Sequence, residues 1–116
     1  MIEIKHRETG AVLHTVQADT LIGADLSGLD LRGSFLIGSD LRGADLRDAC
    51  LIGSDLSYAY LSGSDLRGSN LFGSDLRGAD LRDACLIGAD LRGANPIDAD
   101  MSDAVIIPGW KMIKEA

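Results

Sequence analysis

Carboxylates are the side chains of this sequence whose number and spacing come closest to a chemical pattern. Residues 19–103 contain fifteen aspartates and seven arginines, and most of the aspartates directly precede a leucine. Such carboxylates could act as acids and bases or bind a hard cation such as Ca²⁺. Calcium-binding β-rolls use a Gly-Gly-x-Gly-x-Asp motif, which is absent here. Because an arginine often lies two residues after the aspartate, we expect a solvent-exposed surface of salt bridges and no metal site.

Two histidines and two cysteines are further candidates for chemistry. His6 and His14 lie far in sequence from Cys50 and Cys85. The sequence contains no glycine-rich phosphate loop, no metal-ligand spacing and no catalytic triad order. It therefore predicts no enzymatic activity, no cofactor and no bound metal.

Leucine provides the framework that must position these side chains. It falls on every fifth residue from Leu21 to Leu91 without a break, and the step continues through Pro96, Met101 and Ile106. Five is neither the helical period of 3.6 nor the period of 2 of a flat strand. An unbroken apolar period of this kind indicates a structural repeat with the leucines as its core.

The positions around each leucine differ consistently in chemistry. The residue two before it is Ala or Ser in sixteen of eighteen repeats, and the residue two after it is Gly in twelve. Leucine and the small residue are two apart, so both point to one side of an extended segment, which must be the interior. Asp and Arg flank the leucine and point outward, and Gly marks a sharp bend or a positive φ. The pattern predicts a narrow wound coil whose lumen is filled by side chains.

Both ends of the chain depart from the repeat. Residues 1–18 alternate apolar and polar side chains around a turn, which predicts a β-hairpin that caps the coil. The repeat covers residues 19–108, and residues 109–116 form a tail with the only tryptophan, Trp110. We expect the tail to cap the last coil or to form a homodimer contact, two roles that are compatible.

Composition and charge restrict the partners. The chain has 116 residues, a hydrophobic content of 46% and a net charge of −7, which suits one folded domain but not direct binding to nucleic acid or anionic membrane. No apolar run approaches the roughly 18 residues of a membrane span, and no secretory signal opens the chain. We therefore expect a cytoplasmic location and an unknown protein partner.

The repeat resembles that of the pentapeptide repeat family, whose consensus is A-(D/N)-L-x-x. Residues 24–28 (ADLSG), 44–48 (ADLRD) and 89–93 (ADLRG) match it. The resemblance implies an all-β fold, a right-handed parallel quadrilateral β-helix solenoid with four repeats per coil and about four and a half coils. The repeat departs from the consensus where other residues replace the Asp or Asn, as at Phe35, Cys50, Tyr60, Cys85 and Val105, and where Leu29 replaces the small residue.

On this four-repeat model, residues twenty apart stack on one another. One expected core ladder contains Leu26, Leu46, Leu66 and Leu86, and another contains Leu31, Leu51, Leu71 and Leu91. Ile52 and Phe72 stack on the outside and, with Trp110 and Met112 of the tail, are the predicted partner contacts. The model places the Cα atoms of Cys50 and Cys85 about 10–12 Å apart, too far for a disulfide, so we expect free thiols.

One sixteen-residue sequence occurs twice, as residues 38–53 and 73–88. The offset of thirty-five residues is seven repeats and not a multiple of four, so on the four-repeat model the second copy is rotated by one side of the coil. A duplication that moves surface residues in this way suggests that they serve solubility more than a precise site.

Two functions are compatible with these features. The first is a non-catalytic structural or protein-interaction module. The alternative follows from the resemblance, because some pentapeptide repeat proteins mimic DNA, bind type II topoisomerases such as gyrase and modulate quinolone sensitivity. The excess of fifteen aspartates over seven arginines in residues 19–103 favours the alternative.

Overall fold

The computed structural model describes residues 1–106. The chain begins with two strands, β1 at Ile2–Lys5 and β2 at Val12–Val16, which pair antiparallel with Ile2 opposite Val16. No helix occurs among residues 1–106, so this part of the chain has no helix that is long and apolar enough to cross a membrane. The prediction of an all-β fold is confirmed.

From residue 21 onward the chain winds into coils of twenty residues, four repeats to a coil. Isolated parallel β-bridges join residues twenty apart, as between Asp25 and Asp45 and between Asp45 and Asp65. Leu26 N donates to Asp45 O at 2.7 Å, and Asp45 N donates to Ala24 O at 2.8 Å. Each repeat contributes one bridged residue to a side of the coil, so the parallel sheets consist of bridges rather than long strands.

A tight turn follows each leucine of the five-residue period. The leucine carbonyl accepts a hydrogen bond from the N–H three residues later, as from Ala24 N to Leu21 O at 3.0 Å. The third residue of the turn has a positive φ, which is the requirement of a type II turn and the reason for glycine there. Within residues 1–106, five residues other than glycine also adopt this φ: Asp48, Tyr58, Asp83, Asp98 and Asp103. Aspartate tolerates this region comparatively well, whereas a bulky tyrosine is an unusual occupant.

Leucines and small residues fill the interior. All eight leucines of the two predicted ladders are at most 2% exposed, and Ala44, Ala59 and Ala84 beside them are fully buried. Burial of one leucine side chain contributes about 1.5–3 kcal/mol to folding. The stacked leucines therefore replace the large aromatic side chains that the core lacks.

Serines in the same interior positions are less well accommodated. Among residues 1–106, four buried serine hydroxyls have no hydrogen-bond partner: Ser34, Ser54, Ser64 and Ser74. Ser69, by contrast, donates its hydroxyl proton to the carbonyl of Leu66 at 2.8 Å. Since an unsatisfied buried hydroxyl costs about 1–3 kcal/mol, these serines contribute their small volume and not their polarity.

The hairpin pairs with the first coil through its backbone. Arg7 N donates to Gly33 O and Phe35 N donates to Lys5 O, both at 2.7 Å. Ile4 is 1% exposed and belongs to the same buried cluster as the leucines. The hairpin thus adds both hydrogen bonds and an apolar side chain to the beginning of the solenoid.

Two hairpin side chains extend these contacts. The imidazole of His6 lies so close to Gly33 that a Cβ added to the glycine would overlap the ring. The guanidinium of Arg7 reaches the next coil, where it donates to Gly53 O at 3.1 Å and lies 3.6 Å from the carboxylate of Asp55.

Candidate protein-interaction surface

The outward-facing charges of the solenoid form ion pairs inside single repeats. All seven arginines in residues 19–103 donate from their guanidinium nitrogens to the carboxylate of the aspartate two residues earlier. The same aspartate accepts the backbone N–H of that arginine. The predicted surface of salt bridges is confirmed for these pairs: Asp30–Arg32, Asp40–Arg42, Asp45–Arg47, Asp65–Arg67, Asp75–Arg77, Asp80–Arg82 and Asp90–Arg92.

This pairing sets the ionisation of the carboxylates. The side-chain hydrogen bond from Arg47 is the main cause that lowers the pKa of Asp45 from 3.8 to about 2, and the Arg47 backbone N–H adds to it. Arg67 lowers the pKa of Asp65 in the same way. A general acid needs a raised pKa, so these carboxylates have the opposite character. They are ionised at neutral pH and already occupied by hydrogen-bond donors.

Metal-ligating and thiol groups are dispersed over the described part of the chain. No group of three or more His, Cys, Asp or Glu side chains within residues 1–106 is placed to hold a metal ion. Cys50 and Cys85 are both free and half-buried. The geometry of this region therefore assembles neither a metal centre nor a dithiol pair.

Seven of the fifteen repeat aspartates are paired with the arginine two residues later, and the other eight have no arginine at that position. Asp25 and Asp100 accept hydrogen bonds from Ser27 and Ser102, which lower the pKa of each carboxyl. Asp55 is buried and lies against Arg7 and Ser57. Four exposed members of this set lie near the end of the described chain, and we call them the acidic patch: Asp83, Asp98, Asp100 and Asp103.

The predicted partner contact at Ile52 and Phe72 is smaller than its sequence suggests. Gly53 N donates to Phe72 O at 2.9 Å, so the two apolar residues lie on adjacent coils. Ile52 is half-buried, Phe72 is 48% exposed, and the guanidinium of Arg92 lies 5.9 Å from the centre of the Phe72 ring. Trp110 and Met112, the other predicted contacts, lie outside the described residues.

A larger apolar surface lies on another side of the solenoid. We call it the aromatic patch, and it consists of Phe35, Ile37, Tyr58 and Tyr60, which are 52%, 43%, 65% and 52% exposed. Gly38 N donates to Ser57 O, which places Ile37 beside the residue before Tyr58 on the next coil. The patch therefore continues across two coils and around the turn at Tyr58.

Sequence reasoning missed the aromatic patch although the sequence carried a signal for it. Phe35 and Tyr60 stand where the repeat places an aspartate, and Tyr58 stands where it places a glycine. The sequence could not show that the ring of Tyr58 lies over Gly78, where an added Cβ would be 2.5 Å from the tyrosine Cε1. This contact depends on the stacking of coils and not on neighbours in the chain.

Solved structures share this architecture. The chain is similar to alr5209, a pentapeptide repeat protein from Nostoc Pcc 7120, with 32% identity over 76% of this chain and 84% of that protein and a TM-score of 0.66. It is also similar in fold to a trypsin-treated form of QnrB1, a plasmid-mediated fluoroquinolone resistance protein, with 22% identity and a TM-score of 0.62. That match covers 79% of this chain but 56% of QnrB1. No curated protein sequence matches the chain.

The repeat also matches a family model directly. The model, described as pentapeptide repeats, matches in eight copies over residues 21–57 and 59–95. These ranges include most of the bridged coils and both buried leucine ladders. On the evidence of its repeats, its coils and its solved relatives, the chain belongs to the pentapeptide repeat family.

Proposed function

We propose that this chain is a non-catalytic protein-interaction module built on a pentapeptide repeat solenoid. The observation that carries the proposal is the aromatic patch, because exposed aromatic side chains on a rigid scaffold are typical of protein-binding surfaces. The paired carboxylates support it, since they are held in salt bridges and arginine lowers the pKa of six of them, which makes those six unsuited to proton transfer.

Affinity capture from the source cell tests this proposal. The full chain serves as bait beside a variant whose exposed Phe35, Tyr58, Tyr60 and Phe72 are changed to serine. A module of this kind retains one or a few proteins that the variant does not retain. Equal sets of proteins on both baits would contradict the proposal.

The alternative function is that of an acidic DNA mimic which binds a type II topoisomerase and modulates quinolone sensitivity. Residues 19–103 carry fifteen aspartates and seven arginines, a balance of −8, and the fold is shared with the resistance protein QnrB1. Two features count against it. Seven of the carboxylates are neutralised by arginine, and the bridged column from Asp25 to Val105 spans about 19 Å, roughly half of a duplex turn.

A gyrase supercoiling assay with added protein separates the two functions. A DNA mimic inhibits supercoiling or protects the enzyme from a quinolone in proportion to protein concentration. Supercoiling that is unchanged at high protein concentration, with and without the quinolone, would remove this alternative.

The proposal also assigns a role to each of three segments of the chain. Residues 1–18 cap the first coil, as the hydrogen bonds of Lys5 and Arg7 with it support, and residues 19–108 form a right-handed solenoid of about four and a half coils. Residues 109–116 cap the other end or join two copies into a homodimer. Light scattering after size exclusion, on the full chain and on a Trp110→Ala, Met112→Ala variant, tests the dimer.

We also propose a cytoplasmic location, which fractionation of the source cell would test.

A further inference from the structure

The aromatic patch and the acidic patch follow one another along one side of the solenoid. Parallel bridges join Tyr60 to Asp80 and Asp80 to Asp100, so the aromatic patch and the acidic patch share this column. The neighbouring turn has the same order of residues. The ring of Tyr58 lies over Gly78 on the next coil, and Asp98 occupies the equivalent turn on the coil after Gly78. With about 4.8 Å between coils, Tyr60 and Asp100 are about 10 Å apart.

The aromatic part of this side is open and held in place. Tyr58 is 65% exposed, more than any other aromatic residue among residues 1–106. Tyr60 is 52% exposed, as is Phe35. The ring of Tyr58 rests on Gly78, where no side chain competes for the space. A tyrosine held in this way offers a large apolar surface and a ring face that attracts cations.

The acidic part differs from the rest of the solenoid in its charge balance. Elsewhere most carboxylates are neutralised by the arginine two residues later. Within residues 1–106, the carboxylates of Asp83, Asp98 and Asp103 form no hydrogen bond or ion pair. The carboxylate of Asp100 accepts hydrogen bonds from the backbone and hydroxyl of the uncharged Ser102, and Arg82, beside Asp80 on the preceding coil, attracts it only at longer range. Negative charge is therefore concentrated next to the exposed tyrosines.

We propose that the aromatic patch and the acidic patch form one docking surface for a basic segment of a partner protein. The inference rests on the proposed function and names the surface and the chemistry of the partner. An apolar side chain of the partner packs on Tyr58 and Tyr60, and arginine or lysine side chains pair with Asp98 and Asp100. A spacing of about 10 Å corresponds to about three residues of an extended segment.

Charge complementarity selects this occupant over a second copy of the chain. The chain has a net charge of −7, and its arginines are already bonded to its own aspartates. Judged from residues 1–106, two copies that met through this side would bring their acidic patches or their neutralised pairs together without an unpaired cation on this side to compensate. A basic segment supplies the missing positive charge.

A peptide-binding experiment tests the surface. The probe is a short fluorescein-labelled peptide in which two leucines precede three arginines by three residues, and a second peptide carries serine in place of each arginine. Fluorescence anisotropy at physiological salt gives the dissociation constants. We expect Tyr58→Ala with Tyr60→Ala, and separately Asp98→Asn with Asp100→Asn, to weaken binding of the arginine peptide at least about tenfold.

The chain offers a closely matched control. The double variant Asp25→Asn, Asp48→Asn removes the same charge on other sides of the solenoid. Each residue matches one of the tested pair, because Asp25 bonds Ser27 as Asp100 bonds Ser102, and Asp48 has a positive φ like Asp98. We expect this control to change the dissociation constant by less than about twofold, because neither residue lies on the proposed surface.

Three results would overturn the inference. The first is that the arginine peptide does not bind, and the second is that the serine peptide binds equally well. The third is an equal loss of binding in the matched control, which would indicate general attraction of the peptide to an acidic protein. Affinity capture decides the proposed function separately. A captured partner that is lost from the Phe72→Ala variant but retained by the tyrosine and aspartate variants would leave the module function standing and refute this surface.

Discussion

Residues 38–53 and 73–88 have the same sequence, GSDLRGADLRDACLIG, but lie on different sides of the solenoid. The second copy begins thirty-five residues after the first, five short of two coils of twenty. Their local geometry is the same. Gly43 and Gly78 both have a φ of 67°, and Asp48 and Asp83 both adopt a positive φ. Local conformation is therefore a property of the repeat sequence itself.

The surroundings of the two copies are not the same. An added Cβ at Gly43 would meet nothing within 4 Å, whereas at Gly78 it would meet the ring of Tyr58. Ser39 is half-buried, but its counterpart Ser74 is 1% exposed. Identical sequences thus differ wherever the property depends on the coils above and below. Four pairs of substitutions at equivalent positions separate these contributions.

The largest effect is expected in the core, where the copies should agree. Leu46 and Leu81 occupy equivalent positions and are both fully buried. Each substitution by alanine should lower the free energy of unfolding by about 2–5 kcal/mol, because a methyl-lined cavity replaces the side chain. Urea denaturation measures both values. A difference between them of more than about 1.5 kcal/mol would show that the interior is not equivalent along the solenoid.

The next effect should separate the copies. Gly43→Ala should cost about 1–2 kcal/mol because alanine must adopt a positive φ. Gly78→Ala should cost that amount plus about 0.5–1.5 kcal/mol, because its Cβ displaces the ring of Tyr58 from its rotamer. Urea denaturation measures both variants. The extra cost should vanish when Tyr58 is also changed to alanine, and its persistence would exclude Tyr58 as the cause.

The interior serine should give an effect of the opposite sign. Ser74→Ala should raise the free energy of unfolding by about 1 kcal/mol, because it removes a buried hydroxyl that has no partner among the described residues. Ser39→Ala should change it by less than about 0.5 kcal/mol, since this residue is partly solvent-accessible. Thermal and urea denaturation check both. A destabilised Ser74→Ala variant would indicate that the hydroxyl does find a partner.

The smallest effect concerns the surface pairs and appears only in acid. Asp45 has a pKa of about 2 in the folded chain against 3.8 as its ordinary value. Because the folded pKa is the lower one, the stabilisation from this carboxylate is present above about pH 4 and is lost as the pH falls towards 2. Titration by NMR should show Asp45 ionising below its ordinary range. Arg47→Gln should raise that pKa, and an unchanged value would contradict the assigned cause.

The equivalent substitution in the second copy provides the comparison. Arg82 is the main cause that lowers the pKa of Asp80. Arg82→Gln should therefore raise the pKa of Asp80 and leave that of Asp45 unchanged. Arg47 also lies 3.8 Å from Asp65 on the next coil, so Arg47→Gln should raise the pKa of Asp65 as well.

Much of the fold could be predicted from the sequence because the repeat is local. Leucine at every fifth position indicates an interior ladder, glycine two residues later indicates a turn with positive φ, and aspartate followed by arginine indicates an ion pair. Each inference involves residues at most five apart in the chain. Such contacts depend on backbone geometry that every repeat shares.

The candidate surface was less accessible to sequence reasoning. The sequence predicts partner contacts at Trp110 and Met112 of the tail and at Ile52 and Phe72, the last two because they are apolar and twenty residues apart. The structure shows Ile52 half-buried and Phe72 beside Arg92, and it shows four more exposed residues at the aromatic patch. Exposure depends on which side chain lies on the next coil, and a five-residue pattern contains no information on that.

The sequence by itself thus predicted a wound coil, its leucine core, its turns and its internal ion pairs, since these follow from spacings of two to five residues. Four repeats per coil followed from the family resemblance and not from the spacing. Only the tertiary structure decided which serines lose their hydrogen bonds, which glycine lies beneath Tyr58, and which aspartates share a side with exposed tyrosines. The physical reason is the coil of twenty residues. It brings distant positions into contact and gives identical sequences different neighbours.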